Sequence, residues 1–111
     1  MKKILIALVL AVGLSGYAYA YAYALMIDVR TQGEWDSGHI DGATHIPLFI
    51  IADNIHNFTD SKDEKILLYC RSGNRSGKAK KILDNLGYTN TKNIGGITQV
   101  SETYNLKIIN E

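Results

Sequence analysis

The feature that most constrains the fold is an unbroken apolar run, Ile66-Leu67-Leu68-Tyr69, that leads directly into Cys70. A strand with no polar alternation is typical of a sheet covered on both faces, and such sheets are largely parallel. Parallel strands need long crossover connections, which are usually helices. The run therefore predicts a central strand with helices packed on each side of it.

Helical and extended patterns alternate along the rest of the chain. Strands are predicted at residues 25–29, 43–46 and up to Ile94, with a short helix after the capping-box spacing of Thr31 and Glu34. Two further helices are predicted from apolar residues at helical spacing: Leu48, Ile51, Ile55 and Phe58 after Pro47, and Ala79, Ile82, Leu83 and Leu86 in a helix from about residue 75 to 86. Gly95-Gly96 is expected to form a sharp turn, and the tail from residue 98 to 111 has room for one short helix. This alternation predicts an α/β fold with a small, largely parallel sheet of four to five strands flanked by helices.

The amino-terminal segment has the parts of a secretory signal peptide. A basic start precedes an apolar run, and small residues spaced A-x-A follow in the repeat YAYAYAYA. We therefore predict a signal peptide at residues 1–24, cleaved after Ala20, Ala22 or Ala24, a single domain at residues 25–111, and a periplasmic location.

Two other interpretations of this segment stay open. Residues 4–27 carry no charge and could form an uncleaved membrane anchor, although the strongly apolar part is short for a span. The YAYAYAYA repeat has a period of two, which would also suit a strand.

The charge distribution points to a small anionic ligand. The net charge is +1, and it becomes −1 if Lys2 and Lys3 are removed, so nothing indicates nucleic-acid binding. A basic cluster contains no acid: Arg71, Arg75, Lys78, Lys80 and Lys81. The alternative for the three lysines is a solvated helix face.

Cys70 is the single cysteine and stands between the central strand and a helix start. No disulfide within the chain can form, so in an exported protein it would be an intermolecular partner or a reactive thiol. Unpaired amides at the helix start, the helix dipole, Arg71 and Arg75 would stabilise a thiolate and hold an anion. Gly73 would allow the loop to curl tightly. The alternative is an inert, buried cysteine.

Several segments together resemble the rhodanese family. They are Asp28-Val29-Arg30, Glu34-Trp35, Gly38-His39-Ile40-Asp41-Gly42-Ala43, Ile46-Pro47, the loop Cys70-Arg71-Ser72-Gly73-Asn74-Arg75-Ser76, and Gly95-Gly96-Ile97. They cover nearly all of the chain after residue 24, and with the export signal they look most like the single-domain, exported rhodaneses. The sequence departs from the family pattern in starting almost at the first strand and in lacking an evident tryptophan-bearing helix after Ile97.

The resemblance implies a thiosulfate sulfurtransferase. Cys70 would take sulfur from thiosulfate as a persulfide and pass it to cyanide or a thiol, with Arg71 and Arg75 binding the sulfonate oxygens. The amides that would line the persulfide site are those of Ser72, Gly73, Asn74, Arg75 and Ser76. No metal or organic cofactor is implied, membrane contact is expected only during export, and a monomer is expected.

Other family-matching residues are expected to be structural. Asp28 and Arg30 would pair and brace the active-site loop, a surface pair being the alternative. His39 is expected to pack with a hydrogen bond, and His45 and His56 are expected to be surface or packing residues.

Three competing functions stay open. Cysteine phosphatases and arsenate reductases also use a cysteine in a strand-to-helix anion loop, but the tyrosine phosphatase pattern requires one more residue than the four between Cys70 and Arg75. No aspartate general acid is identifiable, and a second internal cysteine for arsenate reduction is absent from the sequence. A non-enzymatic persulfide carrier would share the same loop. An inactive scaffold is disfavoured because Cys70 is present.

Overall fold

The computed structural model describes residues 24–110, and the predicted signal peptide at residues 1–24 lies outside this range except for its last residue. In order, the elements are β1 (Leu25–Asp28), α1 (Gln32–Ser37), β2 (His39–Ile40), β3 (Thr44–His45), a 3-10 turn (Leu48–Ile50), α2 (Ile51–Asn54), a second 3-10 turn (Ile55–Asn57), β4 (Ile66–Cys70), α3 (Asn74–Asn85), β5 (Thr91–Gly96), α4 (Ile97–Tyr104) and β6 (Ile108–Ile109). Within residues 24–110, no helix has the length and apolar character needed to cross a membrane.

Four parallel strands form the central sheet in the order β3-β1-β4-β5. The two short strands β2 and β6 pair antiparallel as a separate ribbon. The predicted α/β fold with a small parallel sheet and flanking helices is therefore confirmed. Because all four strands of the main sheet are parallel, their carboxyl ends share one edge, and Cys70 ends β4 at that edge.

The core has two layers, one on each face of β4. Ile66, Leu68 and Cys70 belong to the layer that includes Ala79 and Leu83 of α3. Leu67 and Tyr69 belong to the opposite layer, together with residues of α4. All five residues of β4 are buried, which confirms the prediction of a strand covered on both faces.

The single helix predicted after Pro47 is wrong. The chain there forms a 3-10 turn, one turn of α-helix and a second 3-10 turn, with φ near −117° at Ile50 and at Asn54. Of the four apolar residues in the predicted helix, only Ile51 and Ile55 are fully buried, and Phe58 is 45% exposed. The buried apolar residues of this segment therefore span a single helical turn. One turn is too short to specify a continuous helix.

The carboxyl-terminal part differs from the prediction in two places. The sharp turn predicted at Gly95-Gly96 is wrong, because both glycines lie in β5 and pair with Tyr69 and Cys70 after a register shift. The chain passes directly from β5 into α4, so a helix does follow the glycines, and it carries no tryptophan. The tail then adds β6, a strand that the sequence pattern did not predict.

In α3, the predicted core residue Leu86 is 41% exposed because it caps the helix end.

Candidate active site

Cys70 lies at the end of β4, and the loop of residues 71–73 carries the chain into α3. The cysteine is 1% exposed. Gly73 caps the helix with φ of +93°, a conformation that favours glycine, and no side chain of residues 24–110 caps this helix end. The unpaired amides of the first turn of α3 are therefore free to face the sulfur.

Three hydrogen bonds converge on the Cys70 sulfur. The Gly73 N–H lies 3.0 Å from Sγ, and the Ser76 N–H and hydroxyl lie 3.4 and 3.3 Å from it. Burial alone would raise the pKa of the Cys70 thiol. The hydroxyl and amide of Ser76, with the amides of Ser72 and Gly73, outweigh it and lower this pKa. Among the described residues, the amides of Asn74 and Arg75 are not part of this set.

Arg75 is held by a carboxylate from another part of the chain. Its guanidinium donates to both oxygens of Glu34 at 2.7 and 2.9 Å, and both side chains are partly exposed. The hydrogen bond from Arg75 lowers the pKa of Glu34 to about 2, and the same bond raises the pKa of Arg75. The sequence indicated Glu34 as a helix-capping residue and as part of a family-matching segment, but not as the partner of Arg75. In the structure Glu34 also forms the capping box with Thr31. Arg71 is exposed and takes part in no ion pair found within residues 24–110.

Asp28 and Arg30 form the predicted pair, and the surface alternative is wrong. The Arg30 Nη2 to Asp28 Oδ2 distance is 2.7 Å, and the two side chains are 6% and 0% exposed. Arg30 also donates to the Gly38 carbonyl at 2.6 Å. The Arg30 guanidinium lies 5.8 Å from the centre of the Tyr69 ring. The pair therefore ties β1 to the turn after α1, and Arg30 lies beside Tyr69, the residue that precedes Cys70.

The sequence did not indicate that Asn93 and Gly96 of β5 support the loop. Asn93 accepts a hydrogen bond from the Ser76 hydroxyl at 2.7 Å and donates to the Gly73 carbonyl at 2.9 Å. A Cβ atom on Gly96 would overlap the carbonyl oxygen of Arg71. A polar residue and a glycine pair inside a strand are the only signals that could have suggested these contacts.

The histidines have packing contacts. The His39 ring is buried and stacks on Trp35 with centroids 3.5 Å apart, while its Nδ1 lies 3.0 Å from the Trp35 carbonyl. His45 stacks on the same indole and contacts the Arg30 carbonyl at 2.8 Å. His56 is exposed. No group of three or more potential metal ligands occurs among the described residues.

Known proteins resemble this chain in sequence over most of its length. Thiosulfate sulfurtransferase PspE of Escherichia coli is 35% identical over 90% of this chain and 92% of its own length. Thiosulfate sulfurtransferase GlpE of Pseudomonas entomophila is 36% identical over 65% of this chain and 64% of its own length. These similarities support a sulfurtransferase function.

The fold and the family agree with the site. A solved rhodanese from E. coli, determined with anions, superposes with a TM-score of 0.73 at 31% identity, covering 79% of this chain and 99% of that one. Residues 17–103 match the family described as Rhodanese-like domain. With a cysteine at the carboxyl edge of the parallel sheet and a match over most of its length, the chain belongs to the rhodanese-like family.

Proposed function

We propose that this protein transfers the outer sulfur of thiosulfate to cyanide or a thiol through a persulfide on Cys70. The observation that carries the proposal is the convergence of the Gly73 amide, the Ser76 amide and the Ser76 hydroxyl on the Cys70 sulfur. Donors in this arrangement stabilise a thiolate, which is the nucleophilic form of cysteine. The same donors would stabilise negative charge on the outer sulfur of a persulfide.

The first step forms one S–S bond and breaks another. The Cys70 thiolate attacks the outer sulfur of thiosulfate, and sulfite leaves with the electron pair of the bond that breaks. In the second step the acceptor attacks the outer sulfur of the persulfide, and Cys70 regains its thiolate. No external oxidant or reductant is needed, and with one cysteine in the chain the acceptor comes from outside it.

Thiosulfate suits the charges that surround the loop. Arg71 is exposed at the rim, and Arg75 presents a guanidinium whose carboxylate partner is only partly buried. A sulfonate could displace Glu34 from Arg75, because arginine binds planar and tetrahedral oxyanions in the same forked geometry. The relatives named for thiosulfate sulfurtransferase activity support this choice of donor.

We also propose that the protein acts in the periplasm after cleavage of residues 1–24. The basic start, the apolar run and the A-x-A spacing support this location. Sequencing the amino terminus of the exported protein should find Tyr21, Tyr23 or Leu25. A start at Met1 in a membrane fraction would favour the anchor instead.

Intact-mass spectrometry tests the function directly. Thiosulfate should add the mass of one sulfur atom to the protein, and cyanide should remove it with release of thiocyanate. Cys70→Ser should gain no sulfur while keeping its fold by circular dichroism, because serine replaces the nucleophile at nearly the same size. Sulfur gain in Cys70→Ser would contradict the mechanism. Loading without turnover would favour a persulfide carrier.

A further inference from the structure

Asn93 links the two halves of the Cys70 loop from a neighbouring strand. Its Nδ2 donates to the Gly73 carbonyl at 2.9 Å. Its Oδ1 accepts from the Ser76 hydroxyl at 2.7 Å and from the Gly95 amide at 3.0 Å. The Asn93 carboxamide thus contacts Gly73 and Ser76, whose amides lie 3.0 and 3.4 Å from the Cys70 sulfur.

The Gly73 backbone needs such an external contact. Glycine restricts its own φ and ψ less than any other residue, so it does not fix the direction of its amide by itself. The Gly73 carbonyl also accepts the first helical hydrogen bond, from Gly77 at 3.1 Å. Asn93 adds a second donor to the same carbonyl and ties it to β5. Loss of Asn93 would leave this carbonyl paired with Gly77, so the helix start should still form.

The Ser76 hydroxyl has one proton and two acceptors within reach. Its oxygen lies 2.7 Å from Asn93 Oδ1 and 3.3 Å from Cys70 Sγ. With a neutral thiol, the hydroxyl donates to Asn93 and accepts from the S–H group. With a thiolate, the proton turns to the sulfur, and Asn93 Oδ1 keeps the Gly95 amide. Neither state leaves a buried polar group without a partner.

We propose that Asn93 is a positioning residue for sulfur transfer, which holds the Gly73 carbonyl so that the Gly73 amide stays directed at the Cys70 sulfur. The proposal rests on the proposed persulfide chemistry, and it deepens it by assigning a residue that acts through the loop. The charge of Arg75 in α3 interacts with that of Cys70, and Arg75 is paired with Glu34 of α1. Substituting Asn93 leaves both of them in place.

The rate of Cys70 alkylation by iodoacetamide as a function of pH tests the proposal. In Asn93→Ala the pH midpoint should rise by about one unit, so that alkylation below the midpoint slows about tenfold. Asn90→Ala is the matched control, because Asn90 is an exposed asparagine just before the same strand. Asn93→Ser provides a second variant, whose shorter side chain cannot replace the hydrogen bond from Asn93 Nδ2 to the Gly73 carbonyl. It should shift the midpoint in the same direction.

The result separates a positioning role from a merely structural one. Lower thermal stability with an unchanged alkylation midpoint in both Asn93 variants would overturn the proposal, as would an equal shift in Asn90→Ala. Sulfur loading from thiosulfate is measured separately on the native protein. If the midpoint rises as expected while native protein gains no sulfur, Asn93 still positions the Gly73 amide at the Cys70 thiolate, and the proposed sulfur transfer fails.

Discussion

Two arginine–carboxylate pairs have the same shortest N–O distance and opposite surroundings. Arg30 meets Asp28 at 2.7 Å with both side chains almost completely buried, and Arg75 meets Glu34 at 2.7 Å with 29% and 27% of the side chains exposed. The first pair joins β1 to the Gly38 turn. The second stands beside the cysteine loop. An ion in the first pair has no access to a substrate, whereas water or an anion can reach the second.

The difference in burial also changes what each pair contributes. Burial opposes the charge on Arg30, but the hydrogen bond and charge of Asp28 outweigh it and raise the pKa of Arg30. A buried pair contributes modestly while intact, yet its disruption leaves an unpaired ion in the core. A partly exposed pair is screened by water, so it can open without unfolding the protein. Under the proposed function, we therefore expect Arg75, and not Arg30, to exchange its carboxylate partner for a substrate.

The largest expected effect is on stability when the buried pair is broken. Arg30→Ala leaves the Asp28 carboxylate buried without its partner, and the free energy of unfolding should fall by about 3–5 kcal/mol. Arg75→Ala should lower it by about 1 kcal/mol or less, because its pair is partly exposed. Urea unfolding at neutral pH measures both. Equal losses would mean that the two pairs do not differ in burial as described.

The next effect is on activity and concerns Arg75. Arg75→Ala should lower kcat/KM for thiosulfate about thirtyfold, which corresponds to the loss of a charge-assisted hydrogen bond of roughly 2 kcal/mol. Lys78→Ala is the control, because Lys78 is an exposed cation on the same helix. Its kcat/KM should change less than about twofold. Equal effects would mean that the basic cluster is only a solvated helix face.

Much of the fold could be predicted because local patterns specify it. The unbroken apolar residues of β4 place it at the centre of the sheet, and the capping box of Thr31 and Glu34 starts α1 as expected. The prediction was wrong after Pro47, where apolar residues have the spacing of a long helix but only one α-helical turn forms. It was also wrong at Gly95-Gly96, where the glycines serve close approach of the loop to β5 and not a turn.

The site could be predicted only as far as contiguous residues define it. Cys70, Gly73 and Ser76 belong to one loop, so their proximity follows from the sequence. Glu34 lies 41 residues from Arg75, and no spacing rule connects the two. Asn93 of β5 lies 17 residues from Ser76 of α3, and only the packing of this helix against β5 brings them together. Partners supplied by tertiary structure are therefore what the sequence could not provide.

A smaller effect should follow from acid titration of the exposed pair. The pKa of Glu34 is lowered to about 2 by Arg75, below its ordinary value in an unfolded chain. The stabilisation from the Glu34–Arg75 pair is therefore complete at pH values above the pKa of Glu34 in the unfolded chain. It is lost as the pH falls toward about 2, the pKa of Glu34 in the folded protein. Because water screens the pair, the free energy of unfolding of the native protein should exceed that of Glu34→Gln by about 1 kcal/mol or less near pH 6. Urea unfolding at several pH values should show this difference vanish near pH 2, and a constant difference would contradict it.

The smallest effect concerns competition between Glu34 and the substrate for Arg75. Glutamine at position 34 keeps a capping-box side chain for Thr31 but removes the charge that holds the guanidinium. Glu34→Gln should therefore lower KM for thiosulfate about threefold with kcat unchanged, because less energy is needed to free Arg75. Asp36→Asn removes one negative charge from the same short helix without touching Arg75, and its KM should stay within about 1.5-fold of the native value. A higher KM in Glu34→Gln would instead mean that Glu34 aims Arg75 at the substrate, and the exposed pair would then resemble the buried one in fixing an arginine in place.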